Sequence, residues 1–161
     1  MRARKCMLVP FKKSEQAGLG DKNSGCCPGQ TAHHVIPKSQ FKATSAKNSG
    51  KVASCPGYDE DKAPCICVEG TSHSRGGTHQ AIHSDLEPRI EAAADANGEI
   101  TYKDAKKNAN KSMKKIAPQC SSACIKAQLD KYHKDACNQK SDNFKLRSSS
   151  AKSSKVHTGI E

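Results

Sequence analysis

The sequence predicts an α+β protein, and three observations lead to that class. Short β-prone runs, His33 to Ile36 and Cys65 to Val68, occupy the first half of the chain. From Thr78 to Cys137, cap residues and apolar residues at helical spacing mark out several helices. No segment approaches the ~18 consecutive apolar residues of a membrane span, which excludes a membrane-spanning helix.

Composition sets the scale of the core and the nature of the partners. The chain has 161 residues, enough for one domain with a tail, and no internal repeats. Only 4% of residues are aromatic and none is Trp, so the core is modest and built from Ala, Val, Ile and Leu. Lys and Arg exceed Asp and Glu by enough to leave a net charge of +11. That charge favours a polyanion, with nucleic acid first and an anionic membrane surface second; the alternative is a solvated basic surface. Nine cysteines leave three readings open: disulfides, structural zinc or buried thiols. No Cys-x-x-Cys pair occurs, and staples suit a small, aromatic-poor core better than zinc does. The pairing is not legible.

The first twelve residues, MRARKCMLVPFK, lack the 7–15-residue apolar region of a secretory signal. Such a start fits a C-terminal piece of a longer protein. The patch from Cys6 to Phe11 is expected to form a strand or clamp beside the centre of the fold. Next comes GQTAHHVIPKSQF, residues 29–41. If its apolar run is a strand, His33 and His34 point to opposite sides, one free to hold a metal while the other takes a proton. The alternative is a surface loop with two incidental histidines. Lys42 to Lys62 reads as a loop, and Asp59 and Asp61 within it as solvated acids.

Cys65 to Val68 is the second strand, with both thiols on one face. Thr78 is the expected N-cap of a helix carrying His79 and His83, which share a face four residues apart and can reach one ion together. Pro88 is expected to kink or end that helix near Leu86 or Glu87, and a second piece to run from Pro88 to Ala96 and stop at Asn97-Gly98. A helix from Ile100 to Ala117 takes Thr101 as cap, with Asp104 three residues on. The last helix opens at Ser121 or Ser122 and ends near Cys137, with Cys124, Ile125, Leu129 and Tyr132 as core and His133 partly exposed. From Gln139, serine and lysine dominate and no packed core is expected, so His157 is not a ligand candidate.

Strand, strand and helix, with His-His on the first and His-x-x-x-His on the last, is the order of a ββα-metal finger. GQTAHHVIPKSQF, CPGYDEDKAPCICVEG and TSHSRGGTHQAIH together resemble the His-Me finger (HNH-like) nuclease superfamily, and more closely its GHH/AHH branch of bacterial toxin nucleases. The likeness covers about residues 26 to 88, and the histidine pattern is also similar to colicin-type DNases.

The resemblance implies a finger core over about 29–88 and additional C-terminal helices over about 89–138. Residues 1–138 would then be the nuclease domain and 139–161 a polar tail. It implies a metal-dependent, non-specific DNA endonuclease acting as an antibacterial toxin. His34 would be the general base, with His33, His79 and His83 as metal ligands and His73 a rival ligand. Lys38 and Arg75 are the candidates for contacting phosphate, the alternative being that each is an ordinary surface charge. One divalent ion (Zn, Mg, Mn or Ni) is expected, as are DNA, a monomeric toxin and a cognate immunity protein; the positive charge makes that partner acidic. Delivery by type VI secretion into the cytoplasm of a target cell completes the expectation. A non-catalytic Cys/His-rich zinc module that binds nucleic acid, and a disulfide-stapled extracellular basic protein, remain the other readings.

Overall fold

Three short strands in the first half of the chain make an antiparallel sheet: β1 (Val9–Pro10), β2 (Gln30–His34) and β3 (Pro64–Glu69), in the order β1-β3-β2. The structure is a computed structural model and describes residues 6–12, 26–27, 30–46, 48–70 and 76–148. The register opposes Thr31 to Val68, His33 to Ile66 and His34 to Cys65. Opposed residues share a face, so Thr31 and His33 lie with Ile66 and Val68 over the main core. Ala32 and His34 take the other face. There Ala32 packs with Cys26, Cys65, Cys67 and Phe11. The expected clamp at Cys6 to Phe11 is present, because β1 pairs with β3 through Val9 and Cys65.

Between β2 and β3 the chain makes a 3-10 turn, Lys38–Phe41, and then the expected loop. Helix α1 (Gly77–Ala92) follows β3 and buries Ile82, Leu86 and Ile90 at successive turns. The helix continues through Pro88 to Ala92, so the expected end near Leu86 or Glu87 and the separate second piece do not occur. An interior proline costs about 3 kcal/mol, and here the flanking turns are held from outside. Leu86 and Ile90 are both buried, and Arg89 Nε donates to Asp85 Oδ2 at 2.8 Å across the proline. Tertiary contact overrides the local signal.

Strand β4 (Glu99–Thr101) leads into α2 (Tyr102–Ile116), and α3 (Ser122–Cys137) follows. The cap at Thr101 is as expected: its Oγ1 accepts from Asp104 N at 3.1 Å. Ile100, expected inside that helix, instead opposes Leu146 in a second, two-stranded sheet made by β4 and β5 (Lys145–Arg147). The polar stretch from Gln139 is therefore not all tail. Phe144, just before β5, and Leu146 within it are both buried, with Phe144 stacked on Tyr102 at 4.7 Å.

Two other expectations on α3 change. Ile125 and Leu129 are core, but Cys124 is exposed. His133 is fully buried rather than partly exposed, stacked on Phe41 at 5.0 Å with Nδ1 2.9 Å from Leu129 O. Burial pushes its pKa down to about 4, so it is a neutral core residue.

Cys6–Cys120, Cys26–Cys67 and Cys55–Cys137 are the disulfides among the described residues. They span 114, 41 and 82 residues of sequence, loops long enough for each to stabilise the fold by about 3–5 kcal/mol in the chain-entropy account. With six cysteines so used, a structural zinc site built from them has lost most of its ligands. No helix among the described residues is long and apolar enough to cross a membrane. Leu146 gives the second sheet its sharpest test. Leu146→Ala should lower stability by about 2–5 kcal/mol in urea unfolding; a change below about 0.5 kcal/mol would show that β5 is not part of the core.

Candidate active site

The close passage of β3 over the start of α1 places the two helix histidines. Gly70, at φ 96°, and Gly77, at φ 72°, let the two backbones touch: a Cβ on Gly70 would sit 2.4 Å from Gly76 O. On Gly77 it would sit 2.5 Å from Glu69 O. No other residue type fits either position. Thr78, expected as the N-cap, serves this crossing instead: its Oγ1 accepts from Glu69 N at 2.8 Å, and Gly76 is the cap residue.

From that start, His79 and His83 project toward β2. The His33 ring meets His79 edge-on at 5.1 Å and His83 at 4.7 Å, and the two helix rings stack at 5.3 Å. One ring nitrogen from each of the three lies within 4.8 Å of the others. His33 Nε2 is buried and has no hydrogen-bond partner among the described residues, a state that costs about 1–3 kcal/mol unless something else binds the nitrogen. Burial, followed by the neighbouring His83 and His79, holds the His33 pKa well below its ordinary value. His79 Nδ1 lies 2.8 Å from Thr31 Oγ1, and His83 Nδ1 lies 3.3 Å from Glu87 Oε1. Three imidazoles converging in this way form the donor set of a catalytic divalent-metal site, so these residues fit such an ion.

His34 faces away from this cluster. Its ring stacks on Phe11 at 4.6 Å, and its Nε2 lies 3.0 Å from the backbone oxygen of Glu60. A carbonyl only accepts, so Nε2 carries the proton and Nδ1 keeps a lone pair. Burial lowers the His34 pKa, against the opposing effect of the Glu60 carbonyl. Lys38 is beside it, half-exposed, with Nζ 3.1 Å from Glu60 Oε2 and 6.0 Å from the Phe11 ring centre.

Of the residues singled out from sequence, the fold brings His33, His79 and His83 together and sets His34 and Lys38 on the other side of the strand. His73 and Arg75 lie outside the described residues. Three neighbours of these histidines were not singled out as site residues: Thr31, Phe11 and the Glu60 carbonyl. Thr31 was within reach of a period-two reading, since it lies two residues before His33 on the same strand face. The Glu60 carbonyl was not, because a backbone acceptor leaves no mark on sequence.

No solved structure shows a significant match to the chain. The DNase toxin Tse7 of Pseudomonas aeruginosa is 36% identical over 147 residues, a match covering 82% of this chain but 35% of that protein. The chain thus spans about a third of the relative's length. Residues 30–133, from the first residue of β2 through most of α3, match the family model described as "GHH signature containing HNH/Endo VII superfamily nuclease toxin 2". Ala32-His33-His34 lies at the start of the matched stretch, its histidines being the pair that β2 splits between its two faces. The chain belongs to this family of HNH/Endo VII superfamily nuclease toxins.

Proposed function

We propose that this chain is the catalytic domain of an antibacterial toxin that hydrolyses DNA phosphodiester bonds with one divalent ion and a histidine base. The observation that carries the reading is the split of adjacent histidines across β2. His33 joins His79 and His83 on one face, while His34 stands apart on the other with Nδ1 unprotonated.

His34 takes the proton from the attacking water at Nδ1, and the Glu60 carbonyl holds the ring in the tautomer this requires. Phe11 stacks on the ring and limits its rotation. His33, His79 and His83 would hold the ion through neutral nitrogens, which add no opposing charge to it. When bound, the ion supplies positive charge to the phosphate and the leaving oxygen. Imidazole donors favour Zn, Ni or Mn over Mg. Lys38, half-exposed beside His34, would meet phosphate near the base, and Arg75 keeps the same role as a proposal from sequence. DNA rather than RNA is the substrate by likeness to the DNase toxin.

Helix α2 supplies a track for the DNA backbone. Every exposed position on it, Lys103, Lys107, Lys111 and Lys115, is a lysine, four residues apart along one face. Ser112 and Lys115 meet Asp85, and Asn108 reaches Arg89 O, so α2 runs antiparallel to α1 with its C-terminal end nearer the histidines. Such a stripe contacts phosphates without reading sequence. Delivery into a target cell by type VI secretion, a monomeric toxin and an acidic immunity protein drawn by the same charge complete the proposal. Binding of that partner should weaken as salt rises, and salt-insensitive binding would contradict the charge argument.

Plasmid incubated with the protein and a divalent metal should be nicked, and EDTA should stop the reaction. His34→Ala should slow nicking by about 10²–10⁴-fold while retaining metal; wild-type rates in that variant would remove His34 from the mechanism. A basic zinc module without catalysis would bind plasmid and never cut it. For the lysine track, Lys107→Gln with Lys111→Gln should flatten the salt dependence of duplex binding by roughly one unit of slope per lost phosphate contact. An unchanged slope would place the DNA elsewhere.

A further inference from the structure

We propose that Thr31 is a positioning residue for the metal centre: its hydroxyl fixes the tautomer of His79 and so presents Nε2 to the ion. The inference rests on the metal-site reading above and adds to it a residue outside the expected ligands and base. Thr31 Oγ1 lies 2.5 Å from Gly70 O and 2.8 Å from His79 Nδ1. A hydroxyl has one proton to give, and a carbonyl can only accept. The proton therefore goes to Gly70 O, and the oxygen is left to accept from the imidazole. His79 must then carry its proton on Nδ1, which leaves the lone pair on Nε2.

The opposite tautomer fails in this setting. It would set the Nδ1 lone pair against the hydroxyl oxygen, or turn the hydroxyl proton away from Gly70 O. The backbone decides the direction of the relay, because Gly70 is held at φ 96° against Gly76 by the β3–α1 crossing. One strand thus serves the centre twice. His33 offers a ligand atom, and Thr31, two residues earlier on the same face, aims the ligand that comes from the helix. Glu87 Oε1, one turn further along α1, lies 3.3 Å from His83 Nδ1 as an ion-pair contact rather than a hydrogen bond. Outer partners of this kind typically change metal affinity by 10–100-fold.

Thr31→Val keeps the shape and removes the relay, Thr31→Ser keeps the hydroxyl, and His79→Ala removes the ligand. Zinc affinity of each full chain is measured by competition with a chromophoric chelator. Thr31→Val should bind zinc about 10–100-fold more weakly than wild type, and Thr31→Ser should stay within a few-fold of it. If wild type takes up no zinc, or His79→Ala keeps full affinity, the metal-site reading itself fails and this inference falls with it. If His79→Ala loses zinc while Thr31→Val binds as wild type does, the relay alone is overturned. Long-range proton–nitrogen NMR of the metal-free wild-type protein gives a second measurement that needs no variant. His79 should appear as the Nδ1–H tautomer, and an Nε2–H signal there would overturn the proposal.

Discussion

Antiparallel pairing of β2 with β3 is the constraint on which the rest of the site depends. The pairing sets Thr31 and His33 over α1 and turns His34 toward Phe11. A slip of one residue would reverse every one of these assignments. The alternation of faces leaves little freedom for that slip. Ile66 and Val68 belong to the main core, whereas Cys65 is buried in the smaller cluster on the opposite face. The Cys26–Cys67 disulfide adds a covalent limit just before β2 begins.

The helix side of the site depends on a different kind of contact, the near-collision of two backbones at Gly70 and Gly77. It starts α1 close to the end of β3 and brings His79 onto Thr31. Beyond the first turn, α1 is held by its buried face and by Asp85, which receives Arg89, Ser112 and Lys115. Those bonds hold the Asp85 carboxyl well below the usual carboxylate range, the Arg89 side chain contributing most. The N-terminal clamp is likewise tied down at a distance. Cys6 is joined to Cys120, and Gln128 bonds both Leu8 N and Cys6 O, so Phe11 reaches His34 from a fixed base.

Local signals were legible where one or two side chains decide the outcome. The adjacent histidines with a β-prone run announced opposite faces, the pair four residues apart announced a shared helical face, and Thr101 with Asp104 announced a cap. Signals that depend on distant partners were not. Pro88 reads as a break until the packing of Leu86 and Ile90 is known. Phe144 and Leu146 are two apolar residues in a serine- and lysine-rich stretch, and their strand exists because β4 offers an edge to pair with. His133 looked like one more polar helix position, and only the stack with Phe41 explains its burial. The disulfide partners, separated by 41 to 114 residues, have no local trace at all.

Under the proposed function, three imidazoles from one strand and one helix hold a single ion, and the base stands on the opposite strand face. X-ray absorption of the zinc-loaded protein tests it most directly, because nitrogen and sulfur ligands differ in distance. The account predicts a shell of light scatterers at about 2.0–2.1 Å with the outer-shell pattern of three imidazoles. A scatterer at about 2.3 Å would mark a cysteine thiolate, and it would move the ion away from His33, His79 and His83. Fewer than three imidazoles would contradict the claim in the same way.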